Sequence, residues 1–255
     1  TANKIVSLSS LGLGVNSTTA KHLVEYLSLF LKINEETLTR HSITSSLGWD
    51  PTMSFFLLGN NLINNGSNSI SLKFNDTDQG LLQIANGFNM NGSYQEWLYM
   101  VSLIKDFPLI TSYLFGSFVA PLLDIVEADN FVFDLAYSTS SGKSITTMIA
   151  ASAWGNPDKN KSESVVHTWR NTINWINSAA AVVKSIPLFL DDTKQAPKVN
   201  NGAHDISLVG EVIYEISGGK GKGRGTPTGI QKKQSWKTVL MSNGEQRITK
   251  YAEQH

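Results

Sequence analysis

A lysine and a serine, Lys143 and Ser144, stand directly after Gly142 at the end of a short loop of small polar residues. Large apolar residues precede this loop at positions 131–135, and apolar residues at helical spacing follow it at positions 145–150. Such a strand, tight loop and helix bind polyphosphates, because the loop N–H groups and the positive end of the helix converge on one point. The lysine then contacts the β- and γ-phosphates of ATP, and the serine hydroxyl ligates Mg²⁺. The residues predicted to bind the nucleotide are Ser138, Thr139, Ser140, Ser141, Gly142, Lys143 and Ser144.

One position departs from the usual pattern of this loop, Gly-x-x-x-x-Gly-Lys-Ser/Thr. Its first glycine is replaced by Tyr137. Glycine reaches backbone conformations that residues with a Cβ rarely adopt. Either Tyr137 adopts an allowed variant of the turn, or nucleotide binding is weakened. An ordinary strand-to-helix connection is the third interpretation, and the flanking strand and helix argue against it.

Two neighbouring carboxylates, Asp191 and Asp192, close another apolar run at positions 186–190. An acidic residue at the end of a buried strand can hold Mg²⁺, so Asp191 is the second predicted metal-binding residue beside Ser144. Asp192 is the predicted catalytic base, although many ATPases carry the longer glutamate at this place. A plain turn built from Asp-Asp is the alternative, and the Gly-Lys-Ser sequence upstream favours the metal site.

A polar residue, Asn243, follows the apolar run at positions 236–241, which predicts a last strand. A side chain at the tip of a strand beside the phosphates can orient the attacking water or sense the γ-phosphate, so Asn243 is a predicted catalytic residue. A strand-ending turn of Ser-Asn-Gly is the alternative.

A glycine-rich basic segment, GGKGKGRG, carries Lys220, Lys222 and Arg224. Three cations on such a loop suit phosphate contact, either with a DNA backbone or with the nucleotide of a neighbouring subunit. In the second role Arg224 is a predicted catalytic arginine finger. A solvated linker is the alternative.

The elements that must position these groups divide the chain at residue 92. Residues 1–92 are predicted to form a small α+β region, and residues 93–255 an α/β core with a parallel sheet. In the first part we expect a strand and loop at 4–15, an amphipathic helix at 20–31 and short strands at 41–78. In the second part Ser93 to Glu96 is a capping box that starts a helix. The further predictions are an apolar helix at 109–125, kinked at Pro121 and packed under the sheet, and helices at 169–184 and 205–216.

Composition limits the function classes. The chain has 21 basic and 21 acidic residues, so any nucleic-acid surface must be local. It has no cysteine, which excludes disulfides and thiolate metal sites, and a cytoplasmic protein fits. We see no apolar stretch long enough for a membrane span and no signal peptide. The chain is expected to be a piece of a longer protein.

The motifs, in their order and spacing, resemble the domain of unknown function 927 family of phage, plasmid and mobile-element replication proteins. The resemblance covers about residues 40–247. The matching segments are LGW at 47–49, APLL at 120–123, SSGKS at 140–144, AASAWG at 150–155, TWRNT at 168–172, LDD at 190–192, GKGKGR at 219–224, Trp236 and SNGE at 242–245.

This resemblance implies a P-loop NTPase core of AAA+ type, with a parallel central sheet and helices on both faces. It implies relatives among hexameric replicative helicases, in which ATP lies between subunits and a finger arginine is supplied in trans. The expected function is an ATP- and Mg²⁺-dependent DNA helicase motor that acts as a homo-oligomer. The family typically has glycine at the position of Tyr137 and Asp-Glu at 191–192, so these departures bear on catalytic rate. A degenerate nucleotide-binding or assembly module, and an ATPase that acts on protein, are the alternatives.

Overall fold

The computed structural model of the protein describes residues 5–38, 42–64, 72–75, 78–201, 204–223, 225–226, 229–230 and 233–252. The α-helices are α1 (Ala20–Ile33), α2 (Gln79–Asn86), α3 (Tyr94–Leu103), α4 (Pro108–Ser117), α5 (Lys143–Ala151), α6 (Ile173–Val183), α7 (Leu208–Gly218) and α8 (Thr249–Ala252). The strands are β1 (Ser42–Thr44), β2 (Gly48–Trp49), β3 (Phe55–Leu58), β4 (Asn61–Asn64), β5 (Leu72–Phe74), β6 (Phe131–Ala136), β7 (Val166–Thr168), β8 (Leu188–Asp191), β9 (Lys198–Asn201), β10 (His204–Ser207), β11 (Gly225–Thr226), β12 (Gly229–Ile230) and β13 (Val239–Gly244).

Four parallel strands form the central sheet, in the order β6, β13, β8 and β7. Their register aligns Ala136 with Gly244 and Ser242 with Leu190, so β6, β13 and β8 end at the same edge. Helices flank this sheet, because parallel neighbours must be joined by crossovers. The predicted parallel α/β arrangement is therefore confirmed.

The strand before the predicted phosphate-binding loop, β6, differs in one respect from the expectation of a buried strand. Within the described residues it pairs only with β13, and most of its residues are partly exposed. By contrast, β8 and β13 are buried along their whole length. The apolar residues predict a strand, but they do not show whether that strand pairs with neighbours on one side or on both.

Helix α4 packs against the sheet, as expected for the apolar segment after Pro108. A Cβ placed on Gly116 would lie only 2.3 Å from the ring of Phe133, so glycine permits this close approach. The buried ring of Tyr113 lies edge-on to Phe133, with 5.3 Å between centroids. The prediction of one kinked helix over 109–125 is wrong, since α4 ends at Ser117 and Pro121 lies in a separate 3₁₀ turn.

Contacts between Cα atoms divide the chain into two compact units, Thr1–Ser42 and Ile43–His255. The first unit contains α1, as predicted, but residues Ser7–Leu11 form a 3₁₀ turn instead of the predicted strand. Gly12 ends this turn in the left-handed conformation, with φ +87°. The proposed separation at residue 92 stays a prediction, because a compact unit is not proof of independent folding.

The second unit contains the small β region predicted for residues 41–78. Strands β2, β3 and β4 form an antiparallel sheet, and β1 pairs with β5. The predicted helix start at Ser93 is confirmed, since its side chain accepts from the backbone N–H of Glu96 at 3.5 Å and α3 begins at Tyr94.

Three later elements begin after the predicted positions. Helix α7 starts at Leu208, whereas a start at residue 205 was predicted, because His204–Ser207 pairs with Lys198–Asn201 as a strand. Helix α6 starts at Ile173 because Thr172 caps it, whereas a helix from residue 169 was predicted. The last strand starts at Val239 and continues through Asn243. None of the helices among the described residues has the length and apolar character that crossing a bilayer requires.

Candidate functional site

The loop between β6 and α5 holds the predicted phosphate-binding lysine close to its own backbone. The Lys143 ammonium donates to the carbonyl oxygens of Tyr137, at 2.8 Å, and Ser138, at 2.7 Å. The Ser141 hydroxyl also donates to the Ser138 carbonyl, at 2.7 Å. These acceptors are ones that a polyphosphate could replace, because a phosphate oxygen offers the ammonium a stronger, charged partner.

Tyr137 sits at the position where the pattern has its first glycine, and its backbone does not need one. The positive φ angles in the loop belong to Ser140, at 61°, and Gly142, at 85°. The Tyr137 N–H donates to the Gly244 carbonyl at 3.1 Å, which continues the pairing of β6 with β13. Tyr137 is 65% exposed and is not among the residues that line the cavity described below. Of the two alternatives for Tyr137, this geometry corresponds to the allowed turn.

Asp191 is the centre of the polar contacts at the end of the sheet. Its Oδ1 accepts from Ser144 Oγ at 2.9 Å and from Asn243 Nδ2 at 2.6 Å. Its Oδ2 accepts from Lys159 Nζ at 2.5 Å. Burial raises the pKa of Asp191, but the three donors outweigh burial and hold that pKa below its usual value. The carboxylate is therefore ionised near neutral pH and oriented by three separate elements.

Asn243 is buried, and its amide joins three neighbours. Besides Asp191, its Nδ2 donates to Thr147 Oγ1 on α5 at 2.7 Å. Its Oδ1 accepts from the backbone N–H of Asp192 at 3.0 Å. The N–H of Asp192 requires an acceptor, which fixes the amide orientation.

The carboxylate of Asp192, the predicted base, lies at the site but is already engaged. Asp192 has a positive φ of 64°, and its side chain accepts from the N–H of Lys194 at 3.2 Å. It also accepts from Gln195 Nε2 at 3.0 Å. The side chain thus caps the 3₁₀ turn Thr193–Gln195.

A cavity of about 440 Å³ lies at the carboxyl edge of the sheet and collects most of these groups. It contains two lysines, Lys143 and Lys159, and is open to solvent at Glu245. Glu245 accepts a hydrogen bond from Thr139 and lies 3.4 Å from Lys194 Nζ. The lining residues are Thr139, Ser140, Ser141, Gly142, Lys143, Ser144, Ile145, Lys159, Asp191, Asp192, Asn243 and Glu245.

The donor set at this cavity fits magnesium with a triphosphate. Ser144 and Asp191 offer oxygen atoms, and Mg²⁺ typically takes one or two carboxylates together with phosphates and water. Among the described residues no group of three or more His, Asp or Glu side chains gathers around a metal position. A metal here would thus depend on these two side chains and on the phosphates of its ligand.

Three contributors to the site were not predicted. Thr147 lies one helical turn after Ser144 on the same face of α5, so helical spacing could have identified it. Lys159 stands in a polar loop without periodicity, and Glu245 follows the last strand. For Lys159 no local pattern marks the contact with Asp191, 32 residues away along the chain.

The glycine-rich basic segment lies away from this cavity where it is described. Lys222 pairs with Glu211, and its ammonium lies 3.7 Å from the buried carboxylate of Glu215. Lys220 forms an isolated antiparallel bridge with Ser235. Arg224 lies outside the described residues.

Comparisons with known proteins agree with this fold. The sequence model of the family described as "Domain of unknown function (DUF927)" matches residues 1–236. The fold is similar to that of a chain titled "SCCmec type IV Cch - active helicase", with a TM-score of 0.67 and 19% sequence identity. The similarity covers 97% of this chain and 44% of that chain, so this chain spans less than half of that protein's length. No curated protein matches the sequence significantly.

Proposed function

Because the chain belongs to the DUF927 family, we propose that it is the ATP- and Mg²⁺-dependent motor domain of a helicase-like protein of a phage, plasmid or other mobile element, acting on DNA as an oligomer. One observation carries the proposal: Lys143, Ser144, Asp191 and Asn243 meet around one cavity at the carboxyl edge of a parallel sheet. Nucleotides bind at this edge in open α/β sheets. The similarity of fold to a chain titled as an active helicase supports the DNA-directed part of the proposal.

The described residues at the cavity have roles that follow from their positions. Lys143 exchanges the loop carbonyls for the β- and γ-phosphates. Ser144 and Asp191 hold Mg²⁺, which when bound neutralises charge developing on the transferred phosphoryl group. Asn243 keeps Asp191 in place and is proposed to sense the γ-phosphate through Asp191, since its own amide hydrogens are taken by Asp191 and Thr147. Arg224 is proposed to reach the nucleotide of a neighbouring subunit, as a finger in a ring such as a hexamer.

Asp192 is the proposed base, and its present contacts predict slow hydrolysis. Hydrogen bonds from the N–H of Lys194 and from Gln195 hold its carboxylate against its own turn, so any movement of the carboxylate towards the attacking water would strain these contacts. The shorter side chain also reaches less far than the glutamate that many ATPases use.

The test is ATP turnover with and without single-stranded DNA, measured over a range of protein concentrations. Lys143→Ala is expected to lose turnover, since the ammonium has no substitute on that loop. Lys161→Ala removes the same charge from an exposed position outside the cavity and is expected to behave as the unmodified protein. Equal turnover in Lys143→Ala and the unmodified protein would remove the catalytic assignment. A specific rate that rises with protein concentration supports action as an oligomer.

A second candidate function is a nucleotide-binding or assembly module without hydrolysis. The observation that favours it is the engagement of Asp192 as the cap of the turn Thr193–Gln195. Titration with a fluorescent ATP analogue separates the two functions. Tight binding without turnover supports the module, and no binding supports a purely structural domain.

A further inference from the structure

Lys159 makes the shortest ion pair at the proposed metal site, although it lies outside all the predicted motifs. Its ammonium lies 2.5 Å from Asp191 Oδ2. The Asp191 side chain is 1% exposed, and the Lys159 side chain is 34% exposed. The other carboxylate oxygen, Oδ1, is already shared by Ser144 and Asn243. The oxygen left for a metal is therefore the one that Lys159 occupies.

The loop that carries Lys159 is held in place by its own hydrogen bonds. The carboxylate of Asp158 accepts from both the backbone N–H and the side chain of Asn160, each at 3.0 Å. The Asn156 side chain accepts from the Asp158 N–H at 3.1 Å through Oδ1 and donates to the Glu163 carbonyl at 2.8 Å through Nδ2. At the start of the loop, a Cβ on Gly155 would lie 2.2 Å from the Gly87 carbonyl, so only glycine fits there. These hydrogen bonds hold the turn in place and so position Lys159 next to Asp191.

The contact has a physical reason in the free protein. A buried carboxylate without a partner costs several kcal/mol, because the protein interior solvates the charge poorly. A lysine ammonium neutralises it, as a divalent cation would. Both cations approach the same oxygen, and at that separation their charges repel each other strongly, so one has to leave before the other binds.

We propose that Lys159 is an internal counter-ion that occupies Asp191 in the place of the divalent cation, and that metal binding at Asp191 requires its displacement. This inference rests on the proposed function, since it concerns the same metal site. A metal ion alone binds weakly, because it leaves a second cation without a partner in the same cavity. Metal together with a triphosphate binds well, because the freed ammonium of Lys159, beside Lys143, contacts phosphate oxygens. Lys159 therefore makes metal and nucleotide binding depend on each other.

The decisive experiment measures Mn²⁺ binding without nucleotide, by the electron paramagnetic resonance signal of free Mn²⁺. Lys159→Met is expected to bind Mn²⁺ about tenfold more tightly, since the competing charge is gone. Lys161→Met, which removes a charge from the same loop, is expected to leave the affinity unchanged. Lys159→Arg keeps the charge and is expected to bind Mn²⁺ as weakly as the unmodified protein.

Two outcomes would overturn the inference. One is an unchanged Mn²⁺ affinity in Lys159→Met; the other is an equal tightening in Lys161→Met. Should Lys159→Met fail to fold, Lys159→Gln carries the same expectation, because it removes the charge while keeping a polar side chain. The titration contains no nucleotide and does not depend on turnover. An absence of ATP turnover would therefore contradict the proposed function but not this inference. Turnover that depends on Lys143 together with unchanged Mn²⁺ affinity in Lys159→Met defeats the inference alone.

Discussion

The side-chain amide of Asn243 donates to Asp191 Oδ1 across 2.6 Å, between two neighbouring buried strands. Asn243 is 1% exposed and Asp191 is fully buried. Because the same amide bonds Thr147 and the N–H of Asp192, it ties α5 and the end of β8 to β13. A movement of α5, β8 or β13 is therefore expected to shift the carboxylate of Asp191, which is proposed to hold magnesium.

Replacement of Asn243 by alanine tests this coupling. Asn243→Ala removes hydrogen bonds to the buried side chains of Asp191 and Thr147 and to the N–H of the partly buried Asp192. The expected loss of unfolding free energy is about 2–3 kcal/mol. We expect ATP turnover to fall at least tenfold. The measurements are chemical denaturation and steady-state turnover. Asn91→Ala, at an exposed loop position, is the matched control and is expected to change stability by less than about 0.5 kcal/mol. A stable, fully active Asn243→Ala would contradict the role given to this residue.

The loop position of Tyr137 provides a second prediction. Its φ is not positive, so glycine brings no relief of strain there. Tyr137→Gly is expected to lower stability by about 0.5–1 kcal/mol, through added freedom of the unfolded chain. Affinity for a fluorescent ATP analogue is expected to stay within about twofold, since the ring does not line the cavity. A tenfold gain in affinity would mean that Tyr137 had been weakening the site.

Much of the fold and part of the candidate site could be predicted from the sequence, for a physical reason. Asp191 and Asn243 lie at the ends of parallel strands, and Ser144 follows the loop after a third strand, so the three were expected near one edge of the sheet, and they are. Local signals such as the Ser93 cap were equally readable, because the groups involved are close in sequence.

The features that could not be predicted depend on contacts or backbone conformations that the local sequence does not determine. That β6 lies at the edge among the described strands follows from which strand pairs with it, not from its own apolar residues. The contact of Lys159 with Asp191 depends on how a loop folds over the sheet. The capping contacts of Asp192 depend on a left-handed backbone conformation. Aspartate can adopt this conformation, but its presence in the sequence does not predict it.

Asp192 also allows a test of the proposed chemistry. Asp192→Glu places the carboxylate one methylene further out and is expected to raise the turnover number about two- to tenfold. Asp192→Asn keeps the shape but cannot accept the proton, and turnover is expected to fall at least a hundredfold. Stability of both variants, followed by thermal unfolding, reports on the cap. If Asp192→Asn retains turnover, Asp192 serves only as the cap of its turn.

The two described lysines of the basic segment are expected to differ. Lys222 is engaged by Glu211 and Glu215, so Lys222→Gln is expected to cost up to about 1 kcal/mol of stability and to alter DNA binding little. Lys220→Gln is expected to weaken binding of single-stranded DNA and to reduce its salt dependence. Fluorescence anisotropy at several salt concentrations provides the measurement. An absence of any DNA binding would favour an ATPase that acts on protein.

His167, on β7, predicts how stability depends on pH. The residue as a whole is partly exposed, but its Nε2 is buried and has no hydrogen-bond partner in the described structure. The ring lies edge-on to Trp175, with 4.8 Å between centroids. Burial lowers the pKa of His167 to about 4, from 6.5. Below pH 6.5 the imidazole of residue 167 therefore binds a proton in the unfolded chain, whereas in the folded protein it stays neutral down to about pH 4. Stability is lost as the pH falls from 6.5 towards 4, and it is fully present above pH 6.5.

His167→Gln removes this titration while keeping a polar side chain of similar size. Between pH 7.5 and pH 4.5 the unmodified protein is expected to lose about 2–3 kcal/mol more unfolding free energy than the variant. Urea denaturation at both pH values measures the difference. His22→Gln, at an exposed position on α1, keeps the buried histidine and is expected to follow the unmodified protein. Identical pH dependence in His167→Gln and the unmodified protein would show that His167 accepts a proton without unfolding.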